Sequence, residues 1–146
     1  MITGSLNLYD SALAGLLSGR CSSLANTSVT AVLLSPGYAP DFAAHSSFAD
    51  IVQAELKGAA ALRHLLTGTR INGAAFLSDS LLFGDPVTVG PVRYVAMVMG
   101  TPKGLGTESA LLGFLDVAPE GAALEAQRAR FEIIAPAEGW FRLSRT

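Results

Sequence analysis

The chain has 146 residues, a formal net charge of −2 and one cysteine, and it is 50% hydrophobic but only 15% charged. That length suits one domain, 1–146, with a core large enough to need no disulfide or metal staple. Ten Lys and Arg against twelve Asp and Glu, with no basic cluster, argue against nucleic acid, which needs a basic patch to neutralise phosphates. Cys21 on its own excludes an intramolecular disulfide framework and a CxxC metal site. No apolar run reaches the ~18 residues of a membrane span, and no basic region precedes an apolar stretch as in a secretory signal. The charged fraction lies below the ~25% usual for soluble domains, which favours a chain that hides surface against a partner.

In chain order, residues 1–8 read as an extended N-terminal arm, with Asn7 able to cap the helix after it. Tyr9, Leu13, Leu16 and Leu17 fall on one helical face and Gly19 supplies a stop, so one short amphipathic helix is expected to cover a sheet. Val29 to Leu34 is apolar on both alternating sets, the pattern of a central strand covered on both faces. Pro36 and Gly37 must end it. Pro40 then disfavours helix at Ala39, and Asp41 can accept from the amides of the next turn, so a short helix or ordered loop is expected over 42–50.

His45, four residues after Asp41 and three before Phe48, invites a catalytic reading. A general base needs a group to orient it and a nucleophile or water to act on. No second constellation completes such a site, so the bland reading, Asp41 and His45 pinning a loop by a hydrogen bond, is preferred, and no catalytic, metal or cofactor residue is assigned.

Further on, extended segments are expected near 51–56 and 61–66, with His64 a surface or satisfied core histidine. Asn72-Gly73 between short apolar runs predicts a two-residue hairpin turn. Val92, Tyr94, Ala96 and Val98 mark a second buried strand. The loop from Gly100 to Ser109 reads as a hairpin connection, since Gly104-Leu105-Gly106-Thr107 lacks the context of a phosphate loop. The next strand, 110–117, places Leu112, Phe114 and Asp116 on one face and Leu111, Leu115 and Val117 on the other. A half-buried strand over 128–134, a turn at Pro136 to Gly139 and a closing strand from Trp140 complete the chain. Trp140 is either a core plug or an interface anchor. The whole predicts a mainly β protein with one short N-terminal helix, an antiparallel β-sandwich or flattened barrel.

Two stretches also carry a resemblance. Leu8, Tyr9, Ala12, Leu13, Leu16 and Leu17, then Val32, Leu33, Leu34, Ser35, Tyr38, Pro40, Asp41, His45, Phe48, Asp50 and Ile51, are similar to the pattern of a family of small tailed-bacteriophage virion proteins. The motif proper is Ser35 to Ile51, with Tyr38, Pro40, Asp41, His45, Phe48 and Asp50 as its structural residues. Looser likeness runs through Tyr94 to Met99, Leu111 to Val117 and the two final strands. Residues 52–86 depart from it, since the family has a Gly-Thr-rich hairpin there.

The resemblance implies a structural component of the virion, not an enzyme and without a cofactor. The role expected is a head decoration or cement subunit on the capsid surface, assembled in the host cytoplasm. It would bind the major capsid protein and itself as a homo-oligomer such as a trimer, and neither nucleic acid nor membrane. A tail or fibre-anchoring protein and a receptor- or carbohydrate-binding module are the alternatives. Ile2 and Leu6 in the arm, Leu105 in the glycine-rich loop and Trp140 are the interface candidates.

Overall fold

The computed structural model describes every residue except 1, 4, 19–23, 25, 57, 85–88, 118–129 and 144–146. Cys21 and the expected stop at Gly19 therefore lie outside the described residues. Among the described residues one α-helix, α1 (Asp10–Ser18), accompanies eleven short strands: β1 (Ile2–Thr3), β2 (Asn7–Leu8), β3 (Val29–Leu34), β4 (His64–Leu65), β5 (Arg70–Asn72), β6 (Ala75–Leu77), β7 (Leu81–Gly84), β8 (Tyr94–Met99), β9 (Leu111–Asp116), β10 (Phe131–Ile133) and β11 (Phe141–Leu143). They form a five-stranded sheet in the order β2-β9-β8-β3-β4, a four-stranded sheet β1-β11-β6-β5 and a ribbon β10-β7. Every pairing is antiparallel. The sheets do not close into a barrel; of the two expected architectures, the sandwich-like one is found.

Strand β3 is central, as its two apolar sets require, and all six of its residues are buried. Val29, Ala31 and Leu33 face a core shared with β6, β7, β10 and β11, where Phe76, Leu81, Phe83, Phe131, Trp140 and Phe141 meet. Val32 and Leu34 face the other way, into a second cluster with Tyr9, Tyr38, Phe48, Ile51 and Phe114. The five-stranded sheet is thus a middle layer. Apolar burial on both faces, at about 25 cal/mol per Å², is what makes an alternation-free apolar strand stable.

Several expectations need correction. Asn7 does not cap the helix; it pairs in β2 with Phe114, and its side-chain amide donates to the Phe114 carbonyl at 3.3 Å. The expected arm is extended but paired within the chain where it is described: β1 pairs with β11 and β2 with β9, and the Leu6 amide donates to the Trp140 carbonyl. Along α1, Tyr9 and Ala12 are buried and Leu13 and Leu16 pack on the core, while Leu17 is 90% exposed. It sits about 100° round the helix from Leu16, beyond the edge of the covered stripe.

The segments expected to be extended at 51–56 and 61–66 are largely 3₁₀ turns, Val52–Ala54 and Ala59–Leu62, joined through Gly58 at φ 82°. Only His64–Leu65 and a bridge from Glu55 to Leu34 are extended. The Asn72-Gly73 hairpin forms one residue later than expected: Asn72 pairs with Ala75, and Gly73, at φ 62°, opens the turn. Strand β9 departs from simple alternation. Met97 pairs with Gly113 but Val98 with Leu111, so Leu112 is the extra residue of a β-bulge. Leu112 and Leu115 therefore face the first core, and Leu111 and Phe114 the second.

Candidate functional site

The Ser35 to Ile51 motif leaves the end of β3 and folds back across the outer face of the middle sheet. Its ends are tied by backbone bonds: the Tyr38 amide to the Ser35 carbonyl, the Phe48 amide to Ser109 and the Leu111 amide to Ser46. The Asp10 amide, at the start of α1, donates to the Phe42 carbonyl. The motif is thereby stitched to both the helix and the β8–β9 hairpin. Phe48 and Ile51 fill the layer beneath it, 3% and 0% exposed.

At its centre is a chain of three side chains. The Tyr9 and Tyr38 hydroxyls lie 2.6 Å apart, and the Tyr38 hydroxyl is 2.8 Å from His45 Nδ1. The Tyr38 and His45 rings stack with centroids 5.4 Å apart, and Tyr94 meets the Tyr38 ring edge-on. Burial pushes the Tyr9 hydroxyl far above the ordinary tyrosine range, helped by its Tyr38 neighbour; burial also raises Tyr38, with a smaller opposing effect from its bond to Tyr9. Both are held neutral.

The two carboxylates of the motif serve its backbone. Asp41 Oδ1 accepts from the Ala43 and Ala44 amides at 3.1 and 3.0 Å, the expected N-cap, although it caps only a single turn. Its carboxylate does not orient His45; the Asp41 backbone amide does, donating to Nδ1 at 3.3 Å. The His45 amide in turn donates to the Asp41 carbonyl at 3.0 Å, so the expected loop-pinning pair is present, made through the Asp41 backbone. Asp50 Oδ2 accepts from the Ser46 and Ser47 amides at 2.8 and 3.1 Å, and those two bonds hold its carboxyl below the usual range. Pro40 lies in the irregular stretch between the turns at 36–37 and 42–44.

Tyr38, His45 and Asp50 line a cleft of about 420 Å³ with Ser35, Gly37 and Gln53. Of the motif's aromatics, Tyr38 is 7% exposed and Phe48 3%, while Phe42 is open to solvent. Among the described residues no group of three His, Cys, Asp or Glu side chains could hold a metal ion. His64 makes a 2.8 Å contact to the Leu65 carbonyl and packs edge-on against Phe83.

The interface candidates are distributed unevenly. Trp140 is a core plug, 1% exposed, with its indole N–H donating to the buried Ser78 hydroxyl at 2.8 Å. Leu6, 4% exposed, belongs to the same core. Neither can anchor a partner while the core is intact. Leu105 is half-buried against the second cluster, and Ile2 lies on β1. Among the described residues, the large apolar side chains that reach solvent are Leu17, Phe42, Val52, Leu65, Ile71, Leu82 and Ile134. Of these, Leu17 was placed on the covered helix face, whereas Ile134 lies on the outer face expected for the 128–134 strand. Tyr9 was missed as a site residue because its partner lies 29 positions away.

No family model, curated protein or solved structure matches the chain.

Proposed function

We propose that the protein is a structural subunit of a tailed-bacteriophage particle, a decoration or cement protein that binds the major capsid protein and copies of itself on the head surface. One observation carries the reading. The residues that bear the resemblance, Tyr38, Asp41, His45, Phe48, Asp50 and Ile51, are engaged in packing a layer onto the sheet and in tying its loop. That is the use a structural component makes of a motif, since its task is to hold a shape against a neighbour.

Binding then acts by mass action: a subunit with affinity for the assembled shell and none for its separated parts stabilises the shell. The exposed apolar side chains Leu17, Phe42, Ile71, Leu82 and Ile134 are the contact candidates that replace Trp140 and Leu6. Cryo-EM of purified particles compared with isolated tails tests the reading. Density for this fold at regular head positions is the expected result; density confined to the neck or tail overturns the cement role and assigns the protein to tail assembly.

A further inference from the structure

We infer that the Tyr9–Tyr38–His45 chain is an acid-sensitive latch, closed while His45 Nδ1 is unprotonated and opened when that nitrogen takes a proton, freeing the segment from Gly37 to Ser47 from the sheet. The direction of the chain is set by its one fixed donor. A backbone N–H can only donate, so the Asp41 amide, 3.3 Å from Nδ1, makes that nitrogen an acceptor and places the ring proton on Nε2. The Tyr38 hydroxyl, 2.8 Å from the same nitrogen, must then donate to it. The Tyr9 hydroxyl, 2.6 Å from Tyr38, donates in turn to the Tyr38 oxygen. Two protons meet at the Nδ1 lone pair, and the third, from Tyr9, depends on Tyr38 keeping that direction.

A proton on Nδ1 removes that lone pair. The Asp41 amide cannot reverse and would face another N–H. Tyr38 could rotate to accept from the ring and donate to the Tyr9 oxygen, but the Tyr9 proton would then lose its acceptor in a side chain that is fully buried. A buried donor left without an acceptor keeps the full desolvation penalty of its group. The groups around the ring sharpen the effect. Tyr9, at the start of α1, and Tyr38 are neutral, whereas Asp41 and Asp50 are carboxylates of the same segment. Asp50 borders the cleft that His45 also lines, so an imidazolium leaving Tyr38 has an anion to turn towards. The hydrogen bonds hold the neutral ring in and the carboxylate draws the charged ring out.

His45→Asn tests the latch, because the asparagine oxygen can stand where Nδ1 stands and accept the same bonds without titrating. Amide protection factors are read by NMR between about pH 7.5 and pH 5, the range over which histidine changes charge. In the wild type, protection of the Tyr38, Asp41 and His45 amides should fall at least about tenfold relative to β3 as the pH drops. The variant should show no such fall. Unchanged protection in the wild type, or an equal fall in the variant, overturns the inference. Should the variant not fold, the nitrogen shifts of His45 in the wild type at neutral pH decide: an Nε2–H tautomer supports the latch and an Nδ1–H tautomer rules it out.

Discussion

The Tyr38 hydroxyl serves two partners, Tyr9 and His45, and this makes the two tyrosines unequal. Tyr9→Phe removes a donor but leaves Tyr38 bonded to His45, so a loss of about 1 kcal/mol is expected. Tyr38→Phe strands the fully buried Tyr9 hydroxyl and should cost about 2–3 kcal/mol. Chemical denaturation of the two variants measures the difference; equal losses would mean that the chain is not continuous. Tyr9 also sets an alkaline limit. Its folded pKa is raised, so its contribution is complete below the unfolded tyrosine value near 10 and is lost as pH climbs through the interval above it. Stability should therefore decline above about pH 10, by up to ~1.4 kcal/mol per unit for this group, and Tyr9→Phe should flatten that decline. At the acid end Asp50 has the opposite sign. Its depressed pKa gives stability that is present above the usual carboxylate value and fades as pH falls through the folded one.

Among the elements, the bulge in β9 sets which side chains meet which layer, and Gly113 beside it allows β2 to approach. A Cβ at Gly113 would lie 2.5 Å from the Asn7 carbonyl oxygen and 2.9 Å from Leu6 Cγ, whereas one at Gly106 would meet nothing within 4 Å. Gly113→Ala should lower stability by about 1–3 kcal/mol, and Gly106→Ala should change it by less than about 0.5 kcal/mol; thermal melts distinguish them. Arg63 ties a second junction. It grips Glu55 with two 2.8 Å bonds, reaches the Pro102 carbonyl and lies 5.1 Å from the Phe48 ring centre. Removing it leaves a largely covered carboxylate, so Arg63→Met should cost about 3 kcal/mol, and Glu55→Gln in that background should recover part of the loss.

These elements also mark how far the sequence could be read. Strands β3, β8 and β9 were legible because burial on both faces leaves long apolar runs. The bulge was not, since an extra residue in such a run changes register without changing composition. Residues 52–62 misled because isolated 3₁₀ turns have no periodicity of their own, and Gly58 signalled a break without its kind. At the site, spacing identified Asp41 and His45 as a pair that pins the loop, but not that the bonds run through the Asp41 backbone.

Over the whole molecule, the middle sheet should be the last part to open. The amides of β3 and β8, paired along all six residues and covered on both faces, are expected to exchange with deuterium only through global unfolding. Those of the two-residue edge strand β4 and of exposed β5 should exchange by local opening at least about tenfold faster. Comparable rates across all four strands would contradict the layered arrangement.

The pairing of β1 with β11 has a consequence for connectivity. Ile2 and Leu143 are strand partners, one inter-strand spacing of about 4.8 Å apart, so the described backbone traces a path that nearly rejoins itself. A few added residues bridging that gap, with a cut placed at Gly106 in the β8–β9 connection, would yield a permuted chain with the same neighbours throughout. Its folding would show that the architecture is stored in which strands meet and not in the order in which they are made.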